Sequence, residues 1–257
     1  MTPAGEHAPP PPWRIHHRAE TVSTNLDARA GAPGDVFTAD HQTAGRGRLD
    51  HRWLSPPGTN LLMSVVLSVA GLEPPEQVAT LPLAMGLAVC EGLAPFVPSA
   101  RGRALKWPND VLAGGRKLAG ILCERQGDRV IVGVGVNVRQ VTFPPELAAR
   151  AISLALLGGG AGPSIASVRD AVLDWMAAVH RQWRAGGFAA VYPRIAAVDC
   201  LRGRRLAVRQ TDDDAAPVCG VCDGIQPDGS WGVGGARVYA GEAHVLRAED
   251  FGFVLPA

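Results

Sequence analysis

Two arginines alternate with glycines in AGRGRLDHRW, residues 44–53. Gly45, Arg46, Gly47 and Arg48 set bare peptide N–H groups beside guanidinium forks. Glycine in a loop provides close backbone approach or positive φ, at a cost in conformational entropy. Such donors converging on one point suit a phosphate. Lys106-Trp107-Pro108-Asn109-Asp110 and Arg116-Lys117-Leu118-Ala119-Gly120 add lysines and a carboxylate. Ser23-Thr24-Asn25, Gln42, Trp53, Gly133, Gly135 and Asn137 add hydroxyls, amides, an indole and bare backbone. Each piece alone has a plain reading: a strand-end lysine is usually solvated, and an Asn-Asp pair is usually a turn. Together they suit chemistry on an acid and a nucleotide.

These residues need a scaffold, and the apolar pattern supplies one. Trp13 to Glu20, Val36 to Gln42 and Asn60 to Val69 read as strands. Ser23-Thr24-Asn25 stands at a helix start, where Thr24 and Asp27 have capping-box spacing. Leu81 to Leu93 reads as a helix with Pro82 in its first turn. Leu105 to Trp107 is extended because Trp107 precedes a proline; Pro108-Asn109-Asp110 is a turn, and Gly114-Gly115 turns a hairpin into KLAGILCE. In RVIVGVGVNV, Val130, Val132, Val134, Val136 and Val138 share one face, and Ile131, Gly133, Gly135 and Asn137 share the other. Glycines inside a strand mark close approach by a ligand or by another chain segment, and both stay open here. Ser167 to Arg184 reads as a helix with a core stripe of Val168, Val172, Trp175, Val179 and Trp183, started by a Ser167/Asp170 capping box. Beyond Val198, short β-prone runs split by turns such as Pro227-Asp228-Gly229 suggest a small β module.

The 257 residues allow one large domain or a large and a small one. A net charge of +1 argues against a general nucleic-acid binder. Five scattered cysteines form no disulfide framework. Cys219 and Cys222 lack the second pair that a zinc site needs, and the turn after them does not suit a redox pair, so they read as strand cysteines in a reducing cytosol. Residues 1–12 lack the apolar stretch of a signal peptide and read as a disordered Pro-rich tail. The longest apolar run, Leu61 to Leu72, is too short to span a membrane. The expectation is a soluble cytoplasmic protein with no membrane or nucleic-acid partner.

The order HQTAGRGR, KWPNDVL, RKLAGIL, VGVGVNV resembles the catalytic domain of biotin–protein ligases, and the likeness runs from about Val22 to Arg247. The resemblance implies an α+β fold: a mixed β-sheet with helices, class II synthetase-like, over 13–197, plus a small SH3-like β-barrel over 198–257. It implies the ligase-only type, because about twenty residues before the first motif are too few for the N-terminal DNA-binding domain of the bifunctional members. The implied reaction activates biotin with ATP and Mg²⁺ as biotinyl-5′-AMP. It then transfers biotin to a lysine of the biotin carboxyl carrier domain of an acyl-CoA or pyruvate carboxylase, with no prosthetic group.

By family match, Lys117 contacts carboxylate and α-phosphate oxygens, with Arg48 as its catalytic companion. Ser23, Thr24, Asn25 and Gln42 bind biotin's polar groups; Gly45, Arg46, Gly47 and Arg48 form the adenylate loop. Trp53, Lys106, Trp107, Asn109, Gly120, Gly133, Gly135 and Asn137 complete the substrate site, Asp110 serves Mg²⁺, and Arg247 reaches back towards the nucleotide. An exposed sheet edge would permit a homodimer.

Asp50 and His51 stand where the family commonly has Gly and Arg. They imply weaker nucleotide binding or sharper pH dependence, with Arg52 as a substitute cation; an unaltered ATP affinity in Asp50→Gly would overturn this. The rival readings are a lipoate or octanoate transferase or ligase, a biotin-dependent transcription factor, and a non-catalytic relative.

Overall fold

Seven β-prone runs, from the near-continuous apolar Leu61–Ser68 to the alternating Arg129–Val136, form a mixed sheet. Its strands are β1 (Arg14–Thr21), β2 (Asp35–Gln42), β3 (Leu61–Ser68), β4 (Arg103–Lys106), β5 (Asp110–Ala113), β6 (Arg116–Gln126) and β7 (Arg129–Val136). The order is β1-β2-β3-β7-β6-β5-β4, with only β1 and β2 parallel. The helices are α1 (Thr24–Asp27), α2 (Leu81–Gly92), α3 (Pro145–Ala148), α4 (Leu154–Gly158), α5 (Ile165–Gly186) and α6 (Tyr192–Val198). A second, antiparallel sheet contains β8 (Arg205–Arg209), β9 (Val218–Ile225), β10 (Trp231–Val233), β11 (Ala236–Val238) and β12 (Glu242–Val245), in the order β11-β10-β9-β8-β12. This architecture is that of the expected α+β class, and the small C-terminal sheet is consistent with an SH3-like module. The computed structural model describes residues 13–48, 51–72, 75–209, 217–239 and 242–245. The 1–12 tail, Leu49, Asp50 and Arg247 lie outside these residues.

The two faces of β7 go where the period-two pattern sends them. Val130, Val132, Val134 and Val136 are buried in the main core with α2 and α5. Leu87 and Val89 from α2 and Val168, Val172, Val179 and Trp183 from α5 fill that core. Ile131 packs with Ala28, Val66 and Phe37 on the opposite face. Gly133 and Gly135 follow Ile131 on that face, and there the site is built.

Both expected capping boxes are corrected. α1 begins at Thr24 itself, with Ser23 as an N-cap that makes no side-chain cap bond. Thr24 is occupied elsewhere: its N–H donates to Gln42 Oε1 at 2.8 Å, and its hydroxyl oxygen lies 3.1 Å from the same atom. α5 begins at Ile165, because Ser164 Oγ takes the Ser167 N–H at 3.0 Å and caps the helix one turn early.

The second sheet shares the first one's core. Trp231 is fully buried and stacks on Trp107, centroids 5.2 Å apart and planes 10° apart. Asp199 joins the parts, its Oδ2 accepting Ile225 N–H at 2.9 Å and its Oδ1 accepting Leu201 N–H at 3.0 Å. Cys219 and Cys222, three apart on β9, face opposite ways: Cys219 is exposed and Cys222 buried, both as free thiols. β1 is one sheet edge, with all its side chains but that of Thr21 exposed. No helix among the described residues is long and apolar enough to cross a membrane.

Candidate active site

Sheet register makes the floor of the site. Gly120 on β6 pairs with Gly135 on β7, so two residues without side chains lie side by side. The Trp53 indole rests on this bare patch. A methyl at Gly135 would sit 2.7 Å from Trp53 Cζ2, and one at Gly120 would sit 3.2 Å from Cζ3. One pleat further along, a methyl at Gly133 would overlap the Asn25 amide. The bare strand face is therefore covered by chain segments, and those segments themselves line a cavity of about 130 Å³.

The glycine-arginine loop is a narrow hairpin closed by an Arg46–Arg52 bridge. Trp53 N–H donates to Gly45 O (3.0 Å) and Gly47 N–H to His51 O (2.7 Å). A Cβ at Gly45 would lie 2.6 Å from Trp53 O, so this glycine is required by close approach rather than by positive φ. The hairpin returns Trp53 to the floor and leaves Arg46, Gly47, Arg48, His51 and Arg52 on the cavity wall. Arg52 spends one donor on Thr43 O, 3.1 Å away.

Lys117 faces the same space. Its Nζ lies 2.7 Å from Asp110 Oδ1 and 5.7 Å from the centre of the Trp53 ring, a salt bridge and a cation–π contact that fix the ammonium. Its backbone is clamped as well: Lys117 N–H donates to Arg150 O (2.7 Å), and Lys117 O accepts from Ile152 N–H (2.9 Å). Asp110 reaches this position through the β4–β5 hairpin, in which it pairs with Lys106. Asn109 Nδ2 donates to Ile121 O at 2.7 Å and pins the turn to β6.

At the opposite end the wall is neutral and polar. Ser23, Thr24, Asn25 and Gln42 line it. Ser64 Oγ, fully buried behind them, lies 2.7 Å from Thr24 Oγ1 and 2.6 Å from Asn25 Oδ1. Asn25 Nδ2 donates to Glu124 Oε2 at 2.6 Å, and Arg46 donates to Glu124 Oε1 at 3.1 Å. Among the described residues, no group of three or more His, Cys, Asp or Glu is arranged to hold a metal ion. Asp110 alone is a fit for Mg²⁺ that arrives on nucleotide phosphates, which needs only one or two protein carboxylates.

The cavity thus gathers Ser23, Thr24, Asn25, Gln42, Arg46, Gly47, Arg48, Trp53, Lys106, Asn109, Asp110, Lys117, Gly120, Gly133 and Gly135. Two expected site residues, Gly45 and Asn137, stand outside the lining. Gly45 lies beneath the Trp53 carbonyl. Asn137 lies just past the end of β7 and is 4 % exposed. Its Nδ2 donates to Ile152 O (3.1 Å) and Lys117 O (3.4 Å), so it braces the Lys117 backbone. Trp107 lines the cavity as well, while its ring stacks on the buried Trp231. Ser64 and Glu124 were missed: one looks like an ordinary strand serine, the other like a solvated strand-end carboxylate.

Comparison with known proteins places this geometry. Residues 17–139 match the Biotin/lipoate A/B protein ligase family. A biotin–[acetyl-CoA-carboxylase] ligase of Paracoccus denitrificans is 31% identical over 225 residues, 82% of this chain and 90% of that protein. The chain belongs to this family. A Mycobacterium tuberculosis biotin–[acetyl-CoA-carboxylase] ligase is 42% identical over 182 residues, 67% of this chain and 66% of that protein, so the match spans just under two thirds of that relative's length. The structure of the Aquifex aeolicus biotin protein ligase in complex with biotin and ATP superposes with a TM-score of 0.80 at 27% identity, covering 91% of this chain and 99% of that one.

Proposed function

We propose that the chain is an ATP-dependent biotin–protein ligase, with residues 13–197 as its catalytic unit and 198–257 as its SH3-like unit. The observation that carries this reading is the placement of the Lys117 ammonium, held by Asp110 and Trp53 over the Gly120–Gly135 floor, opposite the arginine-bearing hairpin. In the first step a biotin carboxylate oxygen attacks the α-phosphorus of ATP, the bond to the β-phosphate bridge oxygen breaks, and pyrophosphate leaves. Two anions must meet, so fixed cations facing the developing charge lower the barrier. Lys117 and Arg48 fill that role, with Arg46 on the same wall. Mg²⁺ brought on the nucleotide would neutralise phosphate charge, with Asp110 as its protein ligand.

In the second step the neutral amine of a carrier lysine attacks the acyl carbon. The bond to the phosphate oxygen breaks and AMP departs. The adenylate is an activated anhydride that water destroys, so a hairpin placed over it protects the intermediate. Ser23, Thr24, Gln42 and Asn25 offer the hydroxyls and amides that suit biotin's ureido group. The acceptor is a biotin carboxyl carrier domain of an acyl-CoA or pyruvate carboxylase, and the five free thiols suit a reducing cytoplasm. The exposed β1 edge leaves a homodimer open to measurement by mass.

Intact-mass analysis of an apo carrier domain, incubated with the protein, ATP, Mg²⁺ and equal biotin, lipoate and octanoate, tests the reading. The expected result is one biotin-sized increment that is lost in Lys117→Ala. A lipoyl or octanoyl increment would overturn it in favour of the sister activity.

A further inference from the structure

Glu124 lies outside the cavity lining, yet three donors converge on it. Asn25 Nδ2 is 2.6 Å away, Arg46 3.1 Å and Arg29 3.5 Å. A carboxylate can only accept, so the Asn25 amide must turn its NH₂ towards Glu124 and its carbonyl towards Ser64. That carbonyl is also acceptor-only, so the single hydroxyl proton of Ser64 goes to it at 2.6 Å. Ser64 Oγ is then left to accept from Thr24, 2.7 Å away. Of the two acceptors beside the Thr24 hydroxyl, Ser64 Oγ at 2.7 Å and Gln42 Oε1 at 3.1 Å, the nearer takes its single proton, and Thr24 presents lone pairs to the cavity. Gln42 Oε1 is taken by Thr24 N–H at 2.8 Å, so its NH₂ is the end left for other partners.

We propose that Glu124 is a positioning residue for substrate specificity: by accepting from Asn25 and Arg46 at once, it sets which polar groups of the cavity donate and which accept. The inference rests on the biotin reading, because a ureido group, with N–H donors flanking a carbonyl acceptor, needs that complementary pattern. Asn25 and Ser64 are nearly or wholly buried, so a reversed member of the chain has no water to compensate it. The same carboxylate tethers Arg46, which couples the polar end of the cavity to the glycine-arginine hairpin.

The test is calorimetric binding of biotin and, separately, of ATP to the full-length protein and to Glu124→Gln and Glu124→Asp. Glu124→Gln keeps the shape but brings a donor that lets the Asn25 amide reverse. The expected result is biotin binding weakened about tenfold or more, the scale of one lost charge-assisted hydrogen bond, with ATP affinity changed less than about twofold. Glu124→Asp keeps an acceptor-only end and should bind biotin more tightly than Glu124→Gln. A merely structural role gives the opposite order, because the isosteric glutamine is then the milder change. That order, equal binding by all three proteins, or equal losses for biotin and ATP overturns the proposal. Absence of biotin binding by the unsubstituted protein would instead overturn the biotin reading itself.

Discussion

Replacing Gly133 by alanine asks whether a bare strand face is needed to seat Asn25. An added methyl would overlap Asn25 Oδ1 and sit 3.1 Å from Cγ and 3.3 Å from Nδ2. β7 is paired on both sides, with β3 and β6, so its backbone cannot yield. The Asn25 side chain must retreat by about 1 Å to restore ordinary contact, which pulls it out of its 2.6 Å bonds to Ser64 and Glu124. Losing a neutral and a charge-assisted hydrogen bond costs about 3 kcal/mol. Removing a glycine from a strand returns about 0.5–1 kcal/mol. The net expectation is about 2 kcal/mol of lost stability in urea unfolding, together with biotin affinity reduced about tenfold or more in calorimetry. Gly158→Ala is the control: a methyl there meets nothing within 4 Å, in helix α4, where alanine is the better helix former. The argument fails if Gly133→Ala matches the unsubstituted protein in both measurements, or if a crystal structure of the variant keeps Asn25 within hydrogen-bonding distance of both partners.

Other perturbations give separate outcomes. His180 is pushed down to about 4 from 6.5, first by burial and then by the Arg184 charge. Between those values the unfolded chain binds more protons, so stability is full above about pH 6.5 and falls as pH drops towards 4, by up to about 3 kcal/mol. Urea unfolding at pH 7.5 and 5.5 should show part of this loss, and His180→Gln should flatten it. Trp231→Ala removes the surface on which Trp107 stacks and should cost about 3–5 kcal/mol in the same assay. Ser164→Ala removes the N-cap of α5 and should cost about 1 kcal/mol. Lys117→Ala should abolish carrier biotinylation in mass analysis while the melting temperature stays close to that of the unsubstituted protein, since the lysine side chain is 38% exposed.

Much of the scaffold is local and therefore legible. Alternation in RVIVGVGV places four valines in the core and two glycines opposite, because side chains on a strand alternate whatever surrounds it. The α5 stripe is equally local: its period sends Val168, Val172, Val179 and Trp183 inward. Helix starts were less secure, since Thr24 and Ser164 were assigned by competing polar partners that spacing does not reveal.

The sequence by itself determined the types of chemical group: the glycine-arginine segment, the lysines, the carboxylate, the polar STN triplet, and strands short enough to present them. Tertiary structure decided which of these meet. Strand register alone sets Gly120 beside Gly135 and thereby makes the shelf for Trp53. The β4–β5 hairpin brings Asp110 to Lys117, and Asn25 reaches Glu124 across 99 residues of chain. Trp107 stacks on Trp231 because the second sheet completes one core with the first. Alternation and turn chemistry act over a few residues, whereas pairing register and the partners of buried polar atoms are settled only when distant segments exclude water together.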